Sequence, residues 1–97
     1  MYDIEFSNDA LVDLRWFKKH GQNEILDSIE DNLRSDPKVE TRNRKRLRPN
    51  DIAEWELRIG KYRVFYDIND LLRLVSIEAI GLKIGSSLRF RGQERKL

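Results

Sequence analysis

Hydrophobic and polar residues alternate through the middle of the chain. The apolar positions Trp55, Leu57 and Ile59 come first, and the alternation resumes after Gly60 with Tyr62. Because residues with a period of two point to opposite faces of a sheet, this stretch predicts two antiparallel strands. Glycine takes the positive φ that a short hairpin requires, which places the turn at Gly60. One face of the hairpin is apolar, and the charged residues of the other are Glu54, Glu56, Arg58, Lys61 and Arg63.

The first third of the chain predicts a short strand and two helices. The strand spans Tyr2 to Phe6, where apolar and acidic residues alternate. Apolar residues at helical spacing predict a first helix from about Asn8 to Lys19, which Gly21 ends. A second stripe predicts a helix from about Asn23 to Arg34, closed by a following proline. We interpret both apolar stripes as surfaces that pack into the core.

Two further strands are predicted after the hairpin. Leu72 to Ile80 is apolar on both faces, which is typical of a central strand, and Leu88 to Phe90 suggests a short edge strand. The polar tail from 92 to 97 is expected to be flexible. Together the elements predict a single α+β domain over residues 1–97: a small antiparallel sheet of about four or five strands, with two N-terminal helices packed on one face.

Composition excludes several classes of protein. No apolar run approaches the roughly 18–20 residues of a membrane span, and Met1 to Phe6 does not read as a signal peptide, so we predict a cytoplasmic location without membrane contact. The chain has no cysteine, which excludes disulfides and thiol chemistry. His20 is the single histidine. Because zinc sites are usually built from cysteines and histidines, we predict neither a metal nor a cofactor.

The net charge of +2 conceals an asymmetry between two parts of the chain. Residues 1–40 carry five Lys or Arg against ten Asp or Glu, a balance of −5. Residues 41–97 carry fourteen against seven, a balance of +7. Either the second part presents a basic surface to an anionic partner, or the two parts attract each other within the fold.

The most basic segment lies between Thr41 and Pro49, directly before the charged hairpin. Such a run is compatible with a solvated loop, a phosphate-binding patch or a mimic of a localisation signal. Arginine suits bidentate phosphate contact, and the neighbouring hairpin favours nucleic-acid binding. The candidate residues of the segment are Arg42, Arg44, Lys45, Arg46 and Arg48.

Several stretches in combination resemble the RelE/ParE superfamily of toxins. The most specific is the hairpin W-E-L-R-x-G-x-Y-R-V-x-Y at 55–66, and I-E-A-I-G at 77–81 also matches. The resemblance extends over nearly the whole chain. Its other parts are the opening Y-x-I-x-F-S, Ala10, Asp13, Leu14, a helical pair ending near Pro37, and the step from Lys45 to Leu47.

The resemblance implies a toxin of a type II toxin–antitoxin pair. RelE-like members cleave messenger RNA in the ribosomal A site without a metal, whereas ParE-like members poison DNA gyrase without catalysis of their own. We favour a ribosome-dependent endoribonuclease that inhibits translation. The alternatives are a gyrase inhibitor and a degenerate member that only binds its antitoxin. In each case the expected partner is a cognate antitoxin with an acidic or amphipathic segment, since it must cover a basic face.

The resemblance also implies a set of site residues. Arg63 matches an arginine that RelE-like nucleases use at the phosphate, and Lys83 falls near a second cation of that group. Glu54 and Glu56 replace two lysines, one of which acts as the base, so either carboxylate is a candidate base or simply pairs with neighbouring cations. Phe90 lies close to the position of an aromatic that stacks on a base. The remaining RNA-binding candidates are Arg42, Arg44, Lys45, Arg46, Arg48, Arg58, Lys61, Arg89 and Arg91.

Overall fold

The computed structural model describes residues 1–97 and contains one mixed sheet with two helices on one of its faces. A strand comes first, then the two helices, then six more strands. This confirms the predicted α+β class. The elements are β1 Asp3–Phe6, α1 Asn8–Trp16, α2 Lys19–Leu33, β2 Arg44–Arg46, β3 Trp55–Ile59, β4 Tyr62–Asn69, β5 Leu74–Ile84, β6 Ser87–Phe90 and β7 Gln93–Arg95.

The sheet is organised around β5, which is the longest strand at 11 residues. The strand order is β2-β3-β4-β5-β6-β7, and these neighbours pair antiparallel. β1 pairs in parallel with the first part of β5, from Leu74 to Ile77, whereas β6 pairs with its last part, from Leu82 to Ile84. β4 pairs along the other edge of β5. The short part of β5 between the β1 and β6 pairings therefore has a neighbouring strand on one side only.

The junction between the helices differs from the sequence prediction. α1 begins as expected, with the Ser7 hydroxyl accepting a hydrogen bond from the Ala10 N–H at 3.0 Å. It ends at Trp16, however, and α2 begins at Lys19, so Gly21 lies inside the second helix. The prediction that Gly21 ends the first helix is therefore wrong. A Cβ at Gly21 would stand 2.5 Å from the Tyr62 hydroxyl, so a close approach explains this glycine.

The main core lies between the helices and the sheet. The inward residues of α2 meet the predicted apolar face of the hairpin, which includes Trp55, Leu57 and Val64. Tyr66 is fully buried there, and its hydroxyl donates a hydrogen bond to the Pro37 carbonyl at 2.6 Å. Burial raises the pKa of the Tyr66 phenol, which keeps it a neutral donor. The core confirms that both apolar helix stripes face inward.

The opposite face of the sheet carries a second, smaller apolar cluster. Ala53, Phe65 and Leu88 are buried in it, and the partly buried residues packed against them include Ile52 and Phe90. The segment that connects β2 to β3 folds over this face. This face is therefore only partly open to solvent.

Two turns set the ends of the hairpins. Gly60, between β3 and β4, has a φ of 55°, as the sequence predicted. Arg91 and Gly92, between β6 and β7, have φ values of 50° and 79°. Both signs are positive, as a two-residue type I′ turn requires. This turn returns the polar tail to the sheet as β7. Neither helix is long and apolar enough to cross a membrane.

Candidate active site

Strand register brings five charged side chains together on the face opposite the helices. Lys45 of β2 lies opposite Glu56 of β3, and Arg58 lies opposite Arg63 of β4. Arg63 in turn lies opposite Gly81 of β5, two residues before Lys83. Alternate residues of a strand share a face, so these side chains project on the same side. We call Lys45, Glu56, Arg58, Arg63 and Lys83 the charged cluster.

Glu56 is the most buried member of this cluster. It is 9% exposed, and its Oε2 lies 3.3 Å from the Nε of Arg58. With Lys83 it lines an open cavity of about 330 Å³. A carboxylate beside cations and largely shielded from water is positioned to accept a proton from a ligand held in that cavity.

Arg63 is held by the turn that precedes it. Its Nη1 donates hydrogen bonds to the carbonyl oxygens of Gly60 at 2.6 Å and Tyr62 at 2.9 Å. Partial burial lowers the pKa of the Arg63 guanidinium and Arg58 acts in the same direction, while the charge of Glu56 opposes the shift. Arginine remains charged at neutral pH in any case. Its other N–H groups are left to bind an anion in a fixed orientation.

Phe90 lies at the border of the charged cluster. A side chain at Gly81 would meet the Arg89 carbonyl oxygen at 2.8 Å and the Phe90 ring at 3.0 Å, so the ring covers this glycine. Gly81 is the residue opposite Arg63. The Phe90 ring also contacts the Phe65 ring, with centroids 5.6 Å apart. The glycine thus makes room for an aromatic ring beside the candidate phosphate-binding arginine.

Glu54 lies apart from Glu56, although the sequence could not separate them. Its carboxylate is 3.6 Å from Arg46, and its backbone N–H donates to the Asp67 carboxylate at 2.8 Å. Together with Arg46 and Asp67 it lines a different cavity of about 450 Å³, under the connection between β2 and β3. Of the two candidate bases, only Glu56 belongs to the charged cluster.

Several predicted RNA-binding residues are engaged elsewhere. The Arg44 guanidinium donates to the carbonyl oxygens of Asn32 at 2.8 Å and Val39 at 3.0 Å. Arg46 lies over the Trp55 ring, 5.9 Å from its centroid. Arg42 and Arg48 are exposed on the segments that flank β2. The structure therefore disperses the basic run, and only Lys45 from it joins the charged cluster.

The two arginines that flank Phe90 also lie outside the charged cluster. Arg89 pairs with Leu82, on the helix side of the sheet. Arg91 lies in the turn after β6, where its Nε is 2.9 Å from the Asp13 carboxylate. Lys61 occupies the turn between β3 and β4. Arg89 and Arg91 therefore lie outside the candidate site, whereas the Lys61 carbonyl oxygen accepts a hydrogen bond from the Lys83 N–H at 2.7 Å.

Residues near the end of the chain also line the cavity of Glu56 and Lys83. They are Glu94, Arg95, Lys96 and Leu97. Arg95 donates a hydrogen bond to Asp51 at 2.6 Å, which ties β7 to the segment before β3. In the sequence these residues are only part of a polar tail. No motif marks them, because their position depends on the turn that folds β7 back.

The site offers no obvious place for a metal. No group of three His, Cys, Asp or Glu side chains is arranged to hold an ion. The charged cluster combines one carboxylate with four cations instead. Such a set can bind a phosphodiester, accept a proton from a neighbouring hydroxyl and stabilise the negative charge that develops on the phosphoryl oxygens.

The fold is shared with several solved toxins. The RelBE2 toxin–antitoxin complex from Mycobacterium tuberculosis matches with a TM-score of 0.73 at 24% identity, over 84% of this chain and 98% of that chain. The isolated Escherichia coli RelE toxin matches with a TM-score of 0.70 at 17% identity, over 87% and 86%. The YoeB–YefM complex from Staphylococcus aureus gives 0.62 at 20%, over 87% and 97%.

The sequence itself identifies the family. A search of curated proteins found no significant match. Residues 4–81, which include both helices and the hairpin, match the family described as the ParE toxin of the type II toxin–antitoxin system parDE. The chain therefore belongs to the ParE toxin family, within the RelE/ParE superfamily of type II toxins.

Proposed function

We propose that this toxin is a metal-independent endoribonuclease that cleaves messenger RNA on the ribosome. The observation that carries the proposal is the charged cluster, in which a nearly buried carboxylate faces fixed cations on one sheet face. Cleavage by the neighbouring 2′-hydroxyl needs a base, cations for the phosphorane and an acid for the leaving 5′-oxygen. The cluster contains candidates for all three tasks.

The positions of the side chains support the following roles. Glu56 is the candidate base for the 2′-hydroxyl, since it lines a cavity together with Lys83. Arg63 binds the phosphate and stabilises the charge of the phosphorane. Lys83, which lines the same cavity, is the candidate acid for the leaving oxygen. Lys45 and Arg58 bind the flanking phosphates, and Phe90 offers a ring for base stacking.

The test is a primer-extension map of cellular transcripts minutes after the toxin is induced without an antitoxin. We expect new 5′ ends inside translated frames, and none with Arg63→Ala. The matched control is Arg15→Ala, an exposed arginine on α1 that is remote from the charged cluster. Growth arrest with intact messages would reject the nuclease. Absence of arrest would favour a degenerate toxin.

Inhibition of DNA gyrase is the second candidate. The family description that matches the chain names ParE, and this supports the candidate independently of the site. In that case the toxin would bind gyrase without chemistry of its own. Accumulation of cleaved gyrase–DNA complexes and a DNA-damage response, with unchanged transcripts, would distinguish it from the nuclease.

A cognate antitoxin is the proposed protein partner, and the cytoplasm is the proposed compartment. Solved relatives include toxin–antitoxin complexes of RelB with RelE and of YefM with YoeB. The basic excess of residues 41–97 suits an acidic partner segment. Co-expression with the antitoxin should abolish toxicity and yield a complex that survives gel filtration at moderate salt.

A further inference from the structure

The hairpin formed by β6 and β7 brings an aromatic ring and an accessible side-chain amide together. Phe90 lies directly opposite Gln93, across the two-residue turn that joins the strands. Because paired residues of neighbouring strands share a face, both side chains project on the face that carries the charged cluster. Gln93 is exposed, so the oxygen and the NH₂ group of its amide are both open to a ligand.

The turn of this hairpin is held against α1. Arg91 is a non-glycine residue with a φ of 50°, a conformation that few side chains adopt. Its Nε lies 2.9 Å from the carboxylate of Asp13, which is buried on α1. A Cβ at Gly92 would stand 3.6 Å from the Trp16 ring, so the turn also lies close to the end of that helix. The hairpin therefore presents its facing ring and amide in a fixed relation.

An open cavity of about 380 Å³ lies beside this pair. Its lining residues are Phe90, Arg91, Gln93, Glu94 and Arg95. Each of the two arginines has a carboxylate partner, at 2.9 Å for Arg91 and 2.6 Å for Arg95. Glu94 lies opposite Arg89, so its side chain projects on the helix side of the sheet. Of the polar side chains around the cavity, Gln93 is the one left to contact a ligand.

The pair lies close to the charged cluster. Arg63 of β4 pairs with Gly81 of β5, and the Phe90 ring covers that glycine. Since neighbouring strands are about 4.8 Å apart, the Gln93 backbone on β7 lies about 14 Å from that of Arg63. A nucleobase held by Phe90 and Gln93 therefore belongs to a nucleotide that flanks a phosphate bound by Arg63. β6 and β7 lie beyond residues 4–81, so the family match assigns no role to this pair.

We infer that Gln93 is a specificity-determining residue that reads an adenine stacked on the Phe90 ring. Within the proposed nuclease, on which this inference rests, Gln93 sets a base preference next to the bond that is cut. An amide offers a donor and an acceptor, which match the N7 and the N6 amino group of adenine. Guanine presents two acceptors on the same edge, which suit an arginine fork, and both arginines of the cavity are paired with acids. In a single strand this edge is open to side chains, and aromatic rings stack on the base.

The experiment measures binding of short single-stranded oligouridines to the ¹⁵N-labelled variant Glu56→Gln, which lacks the proposed base. One strand contains uracil only, and the others carry a single adenine, guanine or cytosine in the middle. We expect the adenine strand to bind about tenfold more tightly than the others. The side-chain amide signals of Gln93 should shift. Those of Gln22, the other glutamine of the chain, should stay in place, because that amide donates to the Phe17 carbonyl.

Substitutions at Gln93 test the role of its amide. Gln93→Ala should reduce binding of the adenine strand to the level of the others. Gln93→Arg should transfer the preference to guanine, because a guanidinium donates to both O6 and N7, and a purely structural glutamine would not produce this exchange. The matched control is Asn23→Ala, at an exposed amide on α2, which should change no preference. Because both positions are exposed, none of these changes should prevent folding.

Several outcomes would overturn the inference. Equal binding of the strands, or no binding of any, would show that no base is read. Shifts confined to the charged cluster would mean that only phosphates are bound, and an adenine preference that survives Gln93→Ala would place the reading residue elsewhere. Binding needs no cleavage, so a chain that selects adenine through Gln93 but cuts no message would refute only the nuclease proposal. Messages cut with the same base preference by the native toxin and by Gln93→Ala would refute only this inference.

Discussion

The Oδ2 atom of Asp13 accepts a hydrogen bond from the backbone N–H of Ile80 at 2.9 Å. Asp13 is on α1 and Ile80 is on β5, 67 residues later in the chain. Ile80 lies in the stretch of β5 that has β4 on one side and no strand on the other. The carboxylate of a helix thus takes the place of the missing strand, and a buried N–H keeps its partner.

Replacing Asp13 should therefore destabilise the fold. Burial raises the pKa of the Asp13 carboxyl, against the opposing effects of the Ile80 N–H and Arg91. Asp13→Ala leaves the Ile80 N–H without a partner, which costs about 1–3 kcal/mol. Asp13→Asn keeps an acceptor but loses the charge that faces Arg91, so its cost should be smaller. Urea unfolding followed by circular dichroism measures both, with Asp9→Ala on the exposed side of the same helix as the control.

If Asp13→Ala and Asp13→Asn lowered the free energy of unfolding equally, the hydrogen bond to Ile80 would not be the important contact. Arg91→Ala separates the contribution of the ion pair from that of the hydrogen bond, because it removes the ion pair at 2.9 Å and leaves the hydrogen bond in place. We expect it to cost less than Asp13→Ala.

The sequence predicted those elements whose cause is local. The alternation around Gly60 determines the hairpin, and Ser7 determines the start of α1. Gly21 was misinterpreted because its cause is tertiary: the Tyr62 hydroxyl leaves no room for a side chain there. β2 has only three residues, all basic, and forms because β3 provides a partner. The parallel pairing of β1 with β5 likewise depends on how the helices return the chain, which no local pattern records.

The sequence predicted which residue types form the candidate site but not all of their positions in the fold. Alternation placed Glu56, Arg58 and Arg63 on one face, and register then brought Lys83 to them. It could not tell Glu54 from Glu56, because both have the same parity in the strand pattern. What separates them is the connection before β3, which draws Glu54 towards Arg46. The sequence likewise could not show which residues of the basic segment lie beside Glu56, because Arg44 is held by the carbonyl oxygens of Val39 and Asn32, 5 and 12 residues away in the chain.

Glu56 and Glu54 should differ sharply in their effect on cleavage. Glu56→Gln keeps the shape of the side chain but removes the base, and we expect the cleavage rate to fall about 10²- to 10⁴-fold. Glu54→Gln, the matched change two residues away, should alter the rate less than about twofold, since exposed ion pairs contribute little. Single-turnover cleavage of a message on programmed ribosomes measures both. A larger fall in the cleavage rate with Glu54→Gln than with Glu56→Gln would identify Glu54 as the base.

Arg63 should be needed for its geometry as well as its charge. Arg63→Ala should reduce cleavage about 10²- to 10³-fold, the usual cost of losing a donor to a developing oxyanion. Arg63→Lys keeps the charge but cannot hold both turn carbonyls and still present a planar fork, so it should recover only part of the rate. Equal rates for Arg63→Lys and the native toxin would mean that the charge alone suffices. Unchanged melting temperatures would show that neither variant acts through unfolding.

Glu78 gives the fold a measurable dependence on pH. Burial raises the pKa of the Glu78 carboxyl, and the nearby acids Asp67 and Glu5 raise it further. The folded chain therefore holds this proton more tightly than the unfolded chain, whose carboxyl titrates near pH 4.3. The contribution of Glu78 to stability must fall as pH rises from that value through the raised pKa.

Glu78→Gln should abolish this loss, because the amide is neutral at every pH. We expect its melting temperature to exceed that of the native chain by about 2 °C at neutral pH, a small gain because Glu78 is partly exposed and screened by solvent. The difference should vanish near pH 3, where the native carboxyl is protonated in both states. Glu24→Gln, at an exposed position on α2, is the control and should change the melting temperature little at either pH. A gain that persisted unchanged at pH 3 would assign the effect to packing rather than to the proton.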